Sequence, residues 1–290
     1  MKTDTRTYEQ RLLKQGNYAC FGSAAFFPKR YRDDFLRLYY YVHAVDYLAN
    51  RPIPARDEYL ALRTAWDDAK HDPQFATQAE ATDTVQQRTI KYLVYLTREC
   101  RVDPTWLDAY FDTRQADFDS DKTYETLNDT LEYIAGTAEM IALATCRIMQ
   151  AEPIVCPAMR MGSRAIQYLN LLRDTAEYNA LGRCYIPKED LVAFGLKDLR
   201  RETALAHGEA FKECIRQQIS RCGLWQRLAK EDICYLPKDC KVSLTTALEM
   251  YEWVAATIEA HPFVIFDYKV KPAKHRVLLA GLAHMLRTNS

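Results

Sequence analysis

Asn170, Asp174 and Glu177 stand at i, i+4 and i+7 in the sequence. On a helix that spacing projects all three side chains from one face. An amide oxygen and two carboxylates form a hard, oxygen-only donor set suited to Mg²⁺, which keeps some waters and bridges to substrate phosphate. A solvated polar face, with Arg173 pairing a neighbouring acid, has the same spacing. A second acid shifts the balance. Asp46 comes one helical turn past Val42, on a stripe that runs through Phe35, Leu38 and Tyr39. An unpaired carboxylate is costly to bury among such residues. It needs a facing base, or a metal with a diphosphate, and helical bundles build internal metal sites from acids on facing helices.

The elements that would position these acids are helical throughout. Glycine is scarce, at 9 of 290 residues, and no stretch alternates apolar and polar residues with β-branched enrichment. Helical spacing predicts segments around 35–48 and over 57–70, 84–100, 105–117, 126–150, 158–179, 200–229, 243–260 and 273–287. Breakers separate them, among them Pro52, Pro54, Pro73, Pro104, Pro153, Gly182, Pro187, Pro237 and Pro262. With no Gly/Ser linker and no repeat, the expectation is a single all-α domain over residues 1–290, built from about ten helices.

Composition removes several function classes. Lysines and arginines equal aspartates and glutamates at 39 each, so the concentrated basic surface that nucleic acid requires is not expected. Nine cysteines, an odd number without zinc-site spacing, read as reduced thiols acting as small hydrophobes. With no leader-like apolar run in MKTDTRTYEQ, they point to a cytoplasmic protein. The longest nearly uncharged stretches, such as 140–146 and 277–286, are far short of a bilayer span. Peripheral contact with a membrane surface stays open.

Five segments carry a resemblance. Tyr133-Ile-Ala-Gly136-Thr-Ala is followed by Gln167-Tyr-Leu-Asn170-Leu-Leu-Arg173-Asp174 and then Gly182-Arg183-Cys-Tyr-Ile-Pro187; Phe26-Phe-Pro28 and Ala44-Val-Asp46 precede them. In order and spacing these resemble the squalene/phytoene synthase family. The resemblance implies a class I isoprenoid synthase helical bundle with a central cavity, Mg²⁺ as cofactor, and ionisation of an allylic diphosphate. Asp46 and Asp174 match the first acids of the family's two Asp-x-x-x-Asp motifs. Asn170 and Gln167 match polar residues beside the second motif, and Tyr133, Arg173 and Arg183 match residues near the diphosphate. Asn50, which offers a neutral oxygen, and Glu177, on the face of Asn170 and Asp174, complete the expected Mg²⁺ set of Asp46, Asn50, Asn170, Asp174 and Glu177, with Gln167 expected at the diphosphate. Asp117 falls in a segment where members often carry an acid.

The departures fall on the metal and anion contacts. The closing position of motif one is Asn50, and that of motif two is Tyr178, a poor Mg²⁺ ligand unless ionised. His43 stands where an arginine is usual, and Asn17-Tyr-Ala-Cys-Phe21 replaces a serine-rich contact. Joining two prenyl diphosphates demands two ionisations, and these changes fit that demand poorly. The expected reaction is therefore prenyl transfer to a hydrophobic or aromatic acceptor, with His43 or Tyr178 touching the acceptor or taking its proton. The alternatives are head-to-head condensation of two prenyl diphosphates, or a non-catalytic assembly protein of the same fold. A monomer or a homodimer is expected.

Overall fold

The computed structural model describes residues 26–51, 53, 55–119 and 122–289. Asn17–Phe21, Pro52 and Pro54 lie outside the described residues. Every regular element among those described is helical. The α-helices are α1 (Lys29–Ala49), α2 (Arg56–His71), α3 (Val85–Arg98), α4 (Pro104–Gln115), α5 (Leu127–Ile134), α6 (Met140–Ile148) and α7 (Cys156–Arg173). They continue with α8 (Thr175–Ala180), α9 (Lys188–Ala193), α10 (Arg201–Ala206), α11 (Gly208–Glu231), α12 (Lys238–Ala260) and α13 (Lys274–Asn289). None of them is long and apolar enough to cross a membrane.

Local chemistry accounts for several boundaries. Thr84 and Gln87 form a reciprocal capping box at the start of α3, and Thr126 and Asp129 form another at α5. Asp103 accepts from the Thr105 N–H, with Pro104 at the first helical position of α4. Three expected helices are interrupted. The segment 126–150 contains a π-helical turn, Ala135–Glu139, between α5 and α6. Gly136 lies within it, where an added Cβ would stand 1.9 Å from Thr113 Oγ1 on α4. Only glycine permits that approach. The segment 200–229 breaks at His207 (φ −124°, ψ 46°), and 158–179 kinks at Asp174 (φ −95°, ψ 17°).

Burial divides the core into two apolar groups. Tyr41, Trp66, Leu93 and Phe111 centre one on α1–α4. Tyr168, Leu172, Phe211 and Tyr251 centre the other on α7, α11 and α12. α7 packs most extensively on α11. Helices of both groups face a central space, and all the expected site residues are on or behind its walls.

Candidate active site

Two adjoining cavities with shared lining residues occupy that space. A polar one of about 690 Å³ is lined from α1 by Tyr39, His43, Asp46 and Asn50, and from α7 by Gln167, Asn170 and Arg173. The backbone just beyond α7 adds Asp174, Glu177 and Tyr178, while Lys269 and Lys271 enter from the segment before α13. An apolar chamber of about 260 Å³ lies alongside, walled by residues such as Phe35, Leu38, Ile141, Met159, Ile166 and Leu248. Tyr39, His43, Asp46, Thr137, Gln167 and Asn170 line both spaces. On α1 the positions 39, 42, 43 and 46 repeat at helical spacing, and on α7 so do 163, 166, 167 and 170. One face of each helix therefore meets the cavity.

Asp46 is tied to a basic group, the first of the two explanations its sequence position allowed. Arg114 of α4 forms an ion pair with it, and the Tyr110 hydroxyl donates to the same carboxylate at 2.6 Å. The other guanidinium nitrogen of Arg114 is bound to Asp117 and to the Tyr133 hydroxyl. Asp117 also accepts from Tyr133 at 3.0 Å and from Tyr185 at 2.7 Å. Its side chain is 1% exposed, against 40% for that of Asp46. Arg114 thus crosses from a closed interior network to the cavity wall. Burial opposes its charge, but Asp117 and Asp46 outweigh burial and fix it as a guanidinium.

Asp174 is held differently. Its two oxygens take a forked pair of bonds from the adjacent Arg173, at 2.6 and 2.8 Å. Lys269 bridges Asp174 and Glu177, at 2.8 Å to each. Burial alone would raise the Asp174 pKa, yet Arg173 and Lys269 hold it below the usual carboxylate range. At Asp174 the chain leaves helical dihedrals, while the Tyr178 N–H still reaches the Asp174 carbonyl at 3.0 Å.

The expected residues separate into two sets. Asp46, His43, Gln167, Asn170, Arg173, Asp174, Glu177 and Tyr178 all line the polar cavity, as does Asn50. Tyr133 and Arg183, expected beside diphosphate, instead sit in a buried layer behind the wall. Tyr133 is 4% exposed and engaged with Asp117 and Arg114. Arg183 donates to Asn50 Oδ1 at 3.1 Å, to the Ala49 carbonyl at 2.9 Å and to the Asp117 carbonyl. Gly182, at φ +71°, gives the turn that returns Arg183 to the end of α1.

The expected Mg²⁺ set of Asp46, Asn50, Asn170, Asp174 and Glu177 does not converge. Among the described residues, no three acidic, histidine or cysteine side chains are grouped closely enough to hold a metal ion. Each oxygen donor is committed elsewhere: Asp46 to Arg114, Asn50 to Arg183, Asn170 to the Tyr251 hydroxyl, and Asp174 and Glu177 to Lys269. The arrangement does not fit a metal bound by these five residues. At Tyr178, burial first and Asp174 second push the phenol far above its usual range. At neutral pH it is a hydroxyl rather than a phenolate. The His43 imidazole, lowered by burial against an opposing pull from Asp46, is neutral at neutral pH.

Arg114 and Lys269 are absent from the sequence-derived set. Arg114 had a legible signal: Leu107, Tyr110, Phe111 and Arg114 form an i, i+3, i+4, i+7 stripe, with a cation among apolar residues as Asp46 is an anion among them. Lys269 precedes α13 in a segment without periodicity, and nothing in the sequence tied it to Asp174.

The sequence signature described as Squalene/phytoene synthase matches residues 13–277. A 15-cis-phytoene synthase of Paracoccus sp. (strain N81106 / MBIC 01143) is 25% identical over 250 residues, covering 85% of this chain and 79% of that protein. A phytoene synthase of Arthrospira platensis is 31% identical over 181 residues, or 56% of each chain, so this chain spans just over half of that relative. Among solved structures, a dehydrosqualene synthase in complex with ligand superposes with a TM-score of 0.73 at 17% identity, covering 98% of this chain and 96% of that one. A squalene synthase from Alicyclobacillus acidocaldarius does so at 0.67 and 20% identity, covering 89% and 94%. At those identities the structural likeness establishes the fold alone: an all-α isoprenoid synthase bundle.

Proposed function

The chain belongs to the squalene/phytoene synthase family, and we propose on that premise that it condenses two prenyl diphosphates head to head. The observation that carries the reading is a basic, polar mouth that shares a wall with an apolar chamber. A diphosphate in the mouth, with its prenyl chain in the chamber, brings the breaking carbon–oxygen bond to His43, Asp46, Gln167 and Asn170. Arg114, Arg173, Lys269 and Lys271 face the departing anion and stabilise its developing charge. The chamber keeps water from the allylic cation, and the faces of aromatic side chains such as Tyr39 and Phe35 shield it. The similarity to a 15-cis-phytoene synthase over 85% of the chain supports condensation over the aromatic transfer expected from the sequence.

Incubating the purified chain with farnesyl or geranylgeranyl diphosphate as sole substrate tests this. The expected result is a hydrocarbon of doubled chain length, with two diphosphates released per product. Diphosphate release accompanied only by the prenyl alcohol overturns it. Transfer to an aromatic acceptor remains a second reading because neither motif closes with an acid: Asn50 is bound to Arg183 and Tyr178 is a neutral phenol. A prenylated aromatic product, formed in preference to the hydrocarbon, would select that reading.

A further inference from the structure

We propose that Arg114 and Lys269 are built-in countercations, and that through them the site binds the diphosphate group without a divalent metal ion. The inference rests on the reading of the polar mouth as a diphosphate site. Its starting point is that the leading acid of each motif already has a fixed positive partner. Arg114 occupies Asp46, while Arg173 and Lys269 occupy Asp174. A divalent ion arriving at either carboxylate would stand against a cation that is a hydrogen bond away, and like charges at that range repel, most strongly at the buried Asp174. The ordinary exchange of a hydration shell for these carboxylates is therefore disfavoured.

An anion meets the opposite situation. Among the described residues lining the mouth, Arg114, Arg173, Lys269 and Lys271 oppose Asp46, Asp174 and Glu177, four basic side chains against three carboxylates. The guanidinium of Arg114 is preorganised for the exchange. One terminal nitrogen is anchored on Asp117 and Tyr133 in the interior, and the other points to Asp46 at the cavity wall. Turning that outer donor from Asp46 to a phosphate oxygen leaves the inner pairing with Asp117 intact, so no buried charge is stranded. Arginine suits this use because its fork stays charged and matches phosphate geometry. Lys269, with a side chain 29% exposed between two carboxylates, can likewise swing to a third anion without unfolding its surroundings. Lys271 lies beside it on the same rim, its ammonium held below the usual lysine range by burial, Lys269 and Arg173. An anion at that rim relieves this crowding.

Titration calorimetry of the full chain with inorganic pyrophosphate, once in EDTA and once in excess Mg²⁺, is the test. A parallel pair with farnesyl thiodiphosphate separates the anion's contribution from that of the prenyl chain. Pyrophosphate should bind in EDTA with a Kd within about threefold of that in Mg²⁺. Lys269→Gln, which alters a partly exposed side chain, should weaken the EDTA binding by about tenfold and leave a Mg²⁺-dependent remainder. Arg114→Met should act in the same direction, with circular dichroism confirming its fold. Pyrophosphate binding only when Mg²⁺ is present overturns the inference but leaves the diphosphate site standing. Binding in EDTA that Lys269→Gln does not weaken also overturns it. Thiodiphosphate binding in EDTA without pyrophosphate binding would assign the affinity to the chamber and defeat the proposal. Failure of both ligands under both conditions overturns the diphosphate reading itself.

Discussion

Asp46 and Asp174 open the two halves of the site, yet the protein neutralises them in different ways. Asp46 is two-fifths exposed and is answered from across the cavity by Arg114, a residue on another helix with its own interior anchor at Asp117. Asp174 is 8% exposed and is answered by its chain neighbour Arg173 and by a lysine from a distant segment. The first arrangement is a relay in which one cation, Arg114, joins two anions. The second is a clamp with two cations on one carboxylate. The difference implies that the relay is most sensitive at its central cation and the clamp at its central anion.

The largest effect is expected from Arg114→Met, which leaves Asp117 buried with only hydroxyl donors and also releases Asp46. Removing one partner of a buried pair costs about 3–5 kcal/mol, measurable as a lower midpoint in urea unfolding at constant slope. Asp174→Asn should come next, at about 3 kcal/mol, because Arg173 is 4% exposed and loses its carboxylate. The same variant has a pH signature. The folded Asp174 carboxyl titrates below its unfolded counterpart, so its contribution is complete above the unfolded value of about 3.9 and disappears as pH falls through the folded one. Acid unfolding of Asp174→Asn should therefore be flatter than that of the parent in this window.

Asp46→Asn should cost less, about 1 kcal/mol, since the amide still accepts from Tyr110 and Arg114 keeps Asp117. If Asp46→Asn proved as damaging as Asp174→Asn, the relay would not be sharing its charge and the contrast would fail. Lys269→Gln is expected to change stability by no more than about 1 kcal/mol, because one partly exposed cation leaves the clamp while Arg173 remains. Equilibrium unfolding of these four variants ranks them directly.

The contrast also shows what could be read from the sequence. Asp46 was legible because a charge interrupts an apolar stripe, and the stripe's period places it on the inner face whatever surrounds it. Arg114 carries the same mark on α4, so pairing the two anomalies would have found the relay. Asp174 was legible through the motif around it, but its geometry was not. The i, i+4, i+7 spacing shares a face only on a continuous helix, and the kink at Asp174 with Lys269 alongside changes what Asn170, Asp174 and Glu177 share. Lys269 acts through a long-range approach that leaves no periodic trace. Helix positions followed the hydrophobic period closely, while the π-helical turn at Ala135–Glu139 depends on the close contact of Gly136 with Thr113, a tertiary fact.

His43 supplies the finest discrimination between the two halves, since it is one turn from Asp46 on α1 and titrates under its influence. Burial lowers the folded imidazole below the unfolded value of about 6.5, and Asp46 partly offsets that shift. Between the two values the unfolded chain binds more protons than the folded one. Stability therefore rises with pH across that interval and falls as pH drops below about 6.5. His43→Gln should remove this slope without changing the plateau at higher pH. Asp46→Asn should steepen it, because the lost carboxylate no longer favours the imidazolium, while Asp174→Asn should leave it unchanged. Urea midpoints collected at about pH 5.5 and about pH 7.5, on either side of the unfolded imidazole value, read these slopes. Equal steepening by both aspartate variants would mean that the halves share one electrostatic field rather than two locally compensated ones.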